Sequence, residues 1–544
     1  MKQLRVLGVV LLWVAASAWG CGGSGSQPGP TPLTGAGGQR DGAGGAADSG
    51  SQVDAPPDNP GTGGKSPTGA GGAPAGTGGQ SVPPTGVGGS GAGGAAGQAG
   101  TGGSGPATGT GGAAGAGAGA CADLFAPTLQ DVAIDISATD WSAMQAEFMS
   151  VAALVEDAFV NYQPLYYPVT FHFGAEAVPA YARLKGDSSW REAVAMDGAN
   201  GKMQMVIAFD RLDSTATFHG VGKLTLDMPR TDLSFLHDRF GNNFMRSLGI
   251  AALCATSARL SVNGSYYGLY VMEEHMGKRI IAQFFPSIPD NDLLKGGWTA
   301  ETNKTTYDTM KVETFWAATT PAQVAAVVDL PQSFLTWSAE ALLNDGDGYW
   351  GGDHNFYIYD QGPRGYVFLP NDLDSILDYL SDSQGGDPVW WWSSRPGVQF
   401  IGQHYRIVMS DAGMRAQFAQ ALRTQLGRIN VDQLQSWLDT WSAQIRNAVA
   451  TDPHRPLSTT LAVFDAAVAR ARAGLAIRAT YVGNWLDCQQ SGTGPDRDGD
   501  GFIWCQDCRD DNAAVHPGAA EICGNSTDDN CNGVYDEGCA PPMP

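Results

Sequence analysis

Three short runs in the middle of the chain carry side chains suited to holding a cation and moving a phosphoryl group. Asn344-Asp345-Gly346-Asp347-Gly348-Tyr349 ends a helical pattern, Asn355 opens a Tyr-rich strand pattern, and Leu369-Pro370-Asn371-Asp372-Leu373-Asp374 closes the next strand. A divalent ion with hard oxygen ligands can bridge ATP phosphates while a separate Asp orients the attacking hydroxyl, and these tasks draw carboxylates from more than one segment. Asp345 and Asp347 compete for the second task. The plain alternative is that all these residues tighten turns and cap helices, as Asp and Asn commonly do.

A second concentration of oxygen ligands lies near the C-terminus. Asp496-Arg497-Asp498-Gly499-Asp500-Gly501 puts carboxylates at loop positions one, three and five with Gly at six, and Asp507 falls at position twelve. That is EF-hand-like calcium spacing, with Asp in place of the usual bidentate Glu. From residue 495 onward eleven acidic residues accompany two basic ones. Six cysteines, Cys488, Cys505, Cys508, Cys523, Cys531 and Cys539, crowd the same region, an even count that suggests disulfides. Cys505-Gln506-Asp507-Cys508 also matches a zinc knuckle, although the surrounding oxygen ligands prefer calcium. Cys254, in an apolar run, reads as a buried, inert thiol.

The elements that must position the central residues follow from periodicity. Residues 132–136 and 169–173 alternate as strands around a helical pattern at 139–148, with further strands at 180–184 and 203–209. Residues 233–248 read as an amphipathic helix, and Asn263-Gly264 joins strands 258–262 and 267–272 in a hairpin. A helix at 321–343 precedes strands 355–359 and 366–369, and helices at 405–426, 431–449 and 458–485 complete the chain's second half. A sheet-rich half followed by a helix-rich half defines an α+β fold.

The ordered motifs resemble the CotH family, the spore-coat-protein-H-like atypical protein kinases. Asp347-Gly348-Tyr349, Asn355 and the Pro370-x-Asp372-x-Asp374 turn match its second half. Leu184-Lys185-Gly186-Asp187-Ser188-Ser189-Trp190 resembles its Arg-Gly-Asn-Ser-Ser loop. The hairpin Val262-Asn263-Gly264-Ser265-Tyr266-Tyr267-Gly268-Leu269-Tyr270 with Glu274, and Lys295-Gly296-Gly297-Trp298, fit as well. The resemblance spans residues 124–486. It implies a kinase-like bilobal domain with an antiparallel-sheet N-lobe and a helix-rich C-lobe, using ATP with Mg2+ or Mn2+. Residue by residue, it implies Asp347 as the Asp that positions the acceptor hydroxyl, and Asn355, Asp372 and Asp374 as metal ligands. It further implies a Lys202–Glu274 pair steadying ATP phosphates, and Lys185 and Ser188 in a loop that covers them. The chain departs from the family at Lys185 for Arg, Asp187 for Asn and Asn371 for Trp. The His-Arg-Asp and Asp-Phe-Gly signatures of ordinary protein kinases are absent, and Gly220-Val221-Gly222-Lys223 lacks the outer residues of a phosphate loop. The C-terminal run resembles metal-binding repeats of secreted and surface bacterial proteins.

Composition sets the organisation around this domain. About half of the 74 glycines lie between residues 22 and 120, where no aromatic residue occurs; such a segment cannot bury enough apolar surface to offset chain entropy and reads as a tether. Before it, Lys2 and Arg5 precede an apolar run at 6–18, shorter than the roughly 20 residues of a spanning helix, so it reads as an export signal. Cys21 resembles the lipidated cysteine of a bacterial lipoprotein, with cleavage nearby by a conventional peptidase as the other reading. Gly22 in place of Asp leans toward the outer membrane or cell surface. The expected division is a signal at 1–21, a tether at 22–120, a kinase-like domain at 121–487 and a Cys/Asp-rich module at 488–544. A net charge of -23 speaks against nucleic acid as a partner. The expected function is an exported, lipid-anchored kinase acting on Ser or Thr of a surface or secreted protein, with the membrane touched through the N-terminal lipid only. The rival expectation is a non-catalytic calcium-binding surface, coat-assembly or adhesion protein on a degenerate kinase fold, because ATP is scarce outside the cytoplasm.

Overall fold

The structure, a computed structural model, describes residues 121–150, 162–186, 188–228, 232–377, 387–389, 402–525, 527–532 and 536–539. The signal, Cys21, the tether and Asp187 lie outside the described residues.

Seven strands, β1 (Gln130–Ile136), β2 (Tyr167–Phe173), β3 (Glu176–Leu184), β4 (Met205–Ala208), β5 (Lys223–Asp227), β6 (Ala255–Val262) and β7 (Ser265–Glu274), close into a barrel in the order β1-β2-β3-β4-β5-β7-β6. Alternation along β1 to β3 turns Ile134, Phe171 and Ala182 inward, where all are fully buried. A mostly antiparallel sheet is the economical reading of these strands, and the pairings agree except that β1 pairs in parallel with β6, which removes the edge. The hairpin tip fixes that closure: Asn263, at φ 49°, donates its N–H to Ile134 O and accepts from Ile136 N. A disulfide between Cys121 and Cys254 pins the chain just before β1 to the start of β6. Cys254 is therefore not a free thiol.

Helix α1 (Ala138–Ser150) follows β1, and α2 (Ser188–Asp197) follows β3. Helix α3 (His237–Ser247) packs on β6 and β7 and is buried along most of its length. The helical pattern begins at 233, yet the helix begins at 237. The Asp232 carboxylate takes the N–H groups of Ser234, Leu236 and His237, turning 232–236 into a tight capping turn.

A second antiparallel sheet has the order β11-β10-β8-β9, formed by β8 (Leu293–Lys295), β9 (Thr299–Ala300), β10 (Phe356–Asp360) and β11 (Tyr366–Pro370). The helix expected at 321–343 is two, α4 (Pro321–Val327) and α5 (Leu330–Leu343). Val328 leaves the helix to bridge Tyr366, and Asp329 then caps α5. The pattern at 405–426 likewise divides, into α6 (Gln403–Met409) and α7 (Ala412–Leu426), because the Asp411 side chain caps the second. Two long helices, α8 (Val431–Thr451) and α9 (Leu461–Ser491), pack on each other, and α9 also packs on α5 and α7. No described helix is long and apolar enough to cross a membrane.

Beyond α9 the described residues form turns held by Cys488–Cys505, Cys508–Cys531 and Cys523–Cys539. Cys505 and Cys508 therefore belong to different disulfides, and the zinc-knuckle reading of that pair does not hold.

Candidate active site

Helix α5 ends at Asn344 in the left-handed conformation, φ 53°, and the chain turns through Asp345 and Asp347. The two aspartates have opposite surroundings. Asp345 is fully buried, and its Oδ1 accepts the N–H of Asp347 at 3.2 Å and of Gly348 at 3.0 Å. Any Cβ at Gly348 would lie 2.4 Å from Asp345 Oδ2, so this turn requires glycine. Burial, followed by the nearby Glu340 and Asp347 carboxylates, pushes Asp345 well above the usual carboxylate range. Asp347 is half exposed; its Oδ2 accepts from Asn355 Nδ2 at 2.9 Å, and its Oδ1 stands 3.7 Å from His354 Nδ1. Asp345 thus shapes the loop, and Asp347 is the one whose carboxylate faces outward.

The loop after β11 brings the second acidic group. Asp372 is in the left-handed region, φ 53°, and the loop is tied to the first turn of α3: Leu373 N donates to Asp238 Oδ1 at 2.7 Å and His237 Nδ1 donates to Asp374 O at 2.7 Å. Gly241 permits this approach, since a Cβ there would sit 2.7 Å from Leu373 Cβ. Asp238 is fully buried, and its Oδ2 has no hydrogen-bond partner. One turn further on α3, Asn242 donates to Glu273 Oε1 at 3.0 Å, which brings the end of β7 into the same cluster.

Charge balance within the cluster is incomplete. Burial pushes Glu273 up to about 7, opposed by Lys185 and reinforced by Asp372. Asp238 is driven well above its ordinary value by burial, then by Glu273, Asp372 and Asp374, with Lys185 opposing. Lys185, past the end of β3, pairs with Asp227 at the end of β5. Burial, then the charge of Lys185, lowers the pKa of Lys295 at the end of β8, with Asp372 opposing. Two lysines and four carboxylates thus converge from β3, α3, β7, β8 and the loop after β11. An unpartnered buried carboxylate oxygen among mutually repelling acids fits a hard divalent cation, which would relieve both penalties. Among the described residues the carboxylates of Asp238, Asp372 and Asp374 do not all lie within 4.8 Å of one another, and Asn355 stands beside Asp347.

Two expected nucleotide residues are engaged elsewhere. Lys202 is buried, donating to Leu269 O at 2.9 Å and to the Asp452 carboxylate that follows α8. Gly268 makes room for it, as a Cβ there would meet Lys202 Cε at 2.8 Å. Glu274 pairs with Arg279 at 2.5 Å. The expected Lys202–Glu274 pair therefore does not form; the Lys–Glu neighbours of the cluster are Lys185 and Glu273. Ser188 opens α2, one residue beyond the undescribed Asp187. Asp238, Asn242 and Glu273 carried no expectation from sequence. Both faces of β7 are buried from Tyr267 to Glu274, so alternation gives no signal for which glutamate meets the cluster. Asp238 reads as an ordinary first-turn helix acid.

The C-terminal carboxylates also converge. One oxygen from each of Asp496, Asp498 and Asp500 lies within 4.8 Å of the others; the buried Asp507 falls outside that group, its carboxylate standing instead with the sulfurs of the disulfide-bonded Cys508 and Cys531. Asp498, Asp500 and Asp507 each hold a buried Oδ2 without a hydrogen-bond partner. Burial, with the charges of Asp500, Asp498 and Asp510, pushes Asp507 up to about 7 against the Arg509 N–H. This all-oxygen set fits a hard cation.

The profile described as "CotH kinase protein" matches residues 204–481, just over half of the chain. One described as "Putative metal-binding motif" matches residues 507–537. The protein belongs to the CotH kinase family. Among solved structures it is similar to a Helicobacter pylori proinflammatory kinase, CtkA, at 12% identity and a TM-score of 0.27, over 57% of this chain and 94% of that one. No curated protein matches the chain.

Proposed function

We propose that this CotH-family protein is an exported, surface-anchored kinase that moves the γ-phosphoryl group of ATP to Ser or Thr of surface or secreted proteins. The observation that carries the reading is the split between an outward-facing Asp347, steadied by Asn355, and a deeper cluster of Asp238, Glu273, Asp372 and Asp374 with Lys185 and Lys295. Phosphoryl transfer is largely positioning and charge stabilisation, and it needs those two regions to be distinct. Asp347 accepts the proton of the acceptor hydroxyl as its oxygen bonds to phosphorus, while the bond from the γ-phosphorus to the ADP oxygen breaks. Lys185 and Lys295 offset phosphate charge, and Asp227 holds Lys185 in place. Asp238, Asp372, Asp374 and Asn355 would hold Mg2+ or Mn2+, which supplies neutralisation of the β- and γ-phosphate oxygens.

The C-terminal module binds calcium through Asp496, Asp498, Asp500 and Asp507. Export is supported by the apolar run at 6–18 and by four disulfides, which persist in oxidising compartments. Anchoring is through lipid on Cys21, at the outer membrane or cell surface. The test is incorporation of labelled phosphate from ATP with Mg2+ or Mn2+ into a Ser/Thr-containing protein acceptor by the purified chain, with Asp347→Asn alongside. Incorporation by the parent and its loss in the variant support the reading; equal incorporation by both removes Asp347 from it.

A further inference from the structure

A cavity of about 140 Å³ stands apart from the candidate active site. Its apolar wall includes Ile250, Phe285, Leu335 and Leu369, and Phe285 is held by a ring stack on Tyr359 at 4.9 Å. The elements that build it carry the acidic residues at their other ends. Ile250 follows the last turn of α3, whose first turn holds Asp238, and Leu335 lies in the first half of α5, which ends beside Asp345. Gln361 and Arg364, in the β10–β11 turn, close one edge of the cavity, whereas Asn355 and Asp372 flank the opposite end of that hairpin. At about 1.5 Å per helical residue and about 3.4 Å per strand residue, roughly 15–20 Å separates the cavity from the acidic cluster.

One polar group on this wall lacks a partner. Gln361 is buried, and its Nε2 finds no hydrogen-bond partner among the described residues. Its neighbour fixes which end of the amide that is: Arg364 Nη2 donates to Gln361 Oε1, and an amide turned over would set two donors against each other. The turn that carries it is closed by Gln361 N donating to Gly365 O at 2.8 Å, with Gly365 at φ 89°. Thr336 also lines the cavity, but its hydroxyl donates to Phe368 O at 2.9 Å. Arg364 meets Asp329 on its Nε edge at 3.4 Å, and its side chain is largely exposed, which places the guanidinium at the mouth. A buried donor without a partner carries a desolvation penalty that an oxygen acceptor removes. An apolar space of this size suits a single ring, since an engineered cavity of about 150 Å³ takes up benzene.

We propose that this cavity is a second binding site, for a small apolar molecule of single-ring size that carries a carbonyl or carboxylate oxygen. Gln361 Nε2 donates to that oxygen, and the wall of Ile250, Phe285, Leu335 and Leu369 covers the apolar body. The ligand is neither the nucleotide nor the acceptor protein, and the site stands independently of the kinase reading.

The test is calorimetric titration of the full chain with benzoate, acetophenone and toluene, which share the ring and differ in the acceptor. Benzoate, acetophenone or both should bind roughly ten-fold more tightly than toluene. Tighter binding of benzoate than of acetophenone adds Arg364 to the contact, and equal binding assigns it to Gln361 alone. Gln361→Glu keeps the shape of the side chain and its partner Arg364 but removes the donor, and Gln361→Leu removes the unpaired group altogether. Both variants should lose the preference over toluene. Gln361→Leu should also unfold at or above the parental midpoint, which a merely structural role for Gln361 would not allow. No binding by any of the three probes up to about 10 mM, toluene binding as tightly as the other two, or an unchanged preference in both variants overturns the proposal. Phosphate transfer is read in none of these titrations, so their failure leaves the kinase reading where it stands.

Discussion

The two acidic clusters of this protein solve a common problem in different ways. In the C-terminal module, Asp496, Asp498, Asp500 and Asp507 come from one local loop, with no lysine among them. In the domain, Asp238, Glu273, Asp372 and Asp374 come from three distant segments and are interleaved with Lys185 and Lys295. The module is arranged for a cation alone. The domain cluster mixes both signs of charge, the arrangement a ligand combining a cation with phosphates would need. Two nearby buried groups, the Lys202–Asp452 pair and His404, sharpen the contrast because they are satisfied within the protein and need no ligand.

The largest effect that would break the comparison is catalytic. Asp347→Asn should lower phosphoryl transfer by about 10²- to 10⁴-fold while ATP binding stays near parental, because its partner is the acceptor hydroxyl. Asp238→Asn or Asp372→Asn should instead weaken metal-dependent ATP binding, measured by nucleotide titration with and without Mg2+. If Asp347→Asn lost ATP binding and Asp372→Asn did not, the division between outward base and deeper metal cluster would be reversed.

Stability should separate the two lysines next. Lys202→Met leaves Asp452 buried without its partner and should cost about 3–5 kcal/mol in denaturant unfolding. Lys185→Met also leaves the buried Asp227 without its partner, but Lys185 itself is partly exposed, so it should cost less than Lys202→Met and lose nucleotide affinity. Similar unfolding midpoints for both variants would show that Lys202 is not the structural member of the pair.

A third effect is set by pH. His404 is fully buried; its Nε2–H donates to Phe315 O at 2.8 Å, and its Nδ1 accepts from the Tyr349 hydroxyl at 2.8 Å. Burial lowers its pKa to about 4. The unfolded chain therefore takes up the proton first, and His404's contribution is whole above about pH 6.5 and is lost as pH falls through about 4. That loss amounts to about 3 kcal/mol. Unfolding measured at pH 7 and pH 4.5 should show it, with a shallower acid slope in His404→Gln; an unchanged slope would assign acid sensitivity elsewhere.

The smallest effect belongs to the module. Calcium at about 100 times its Kd should stabilise the module by about 2.7 kcal/mol, with disulfides intact, and leave the kinase domain's transition in place. Asp507→Asn should remove most of this shift in a calorimetric titration against chelator. Identical melting with calcium and chelator would make the loop a plain acidic turn.

Much of this was legible in the residues. The spacing of Asp496, Asp498 and Asp500 foretold that their carboxylates converge, because they lie within five residues, where chain geometry alone brings them together. The Asp-Gly-Tyr and Pro-x-Asp-x-Asp turns singled out Asp347 and Asp372, and alternation marked six of the seven barrel strands, leaving β5 (Lys223–Asp227) unmarked. Helix interruptions at Val328 and between Met409 and Ala412 were less visible, since each depends on a partner or cap that competes with a continuous apolar pattern.

What the sequence determined by itself is therefore the local chemistry: a disulfide-rich acidic module, and carboxylates on turns that a single stretch of chain can build. What only the tertiary structure decided is pairing across distance. Cys121 reaches Cys254, Lys202 reaches Asp452 rather than Glu274, and Glu273 meets Asn242 while its neighbour Glu274 meets Arg279, because a one-residue step along a strand reverses the face and both faces of β7 are buried. Asp345 and Asp347, two residues apart, were separated by burial: closing the turn consumes one carboxylate on backbone N–H groups and leaves the other facing solvent.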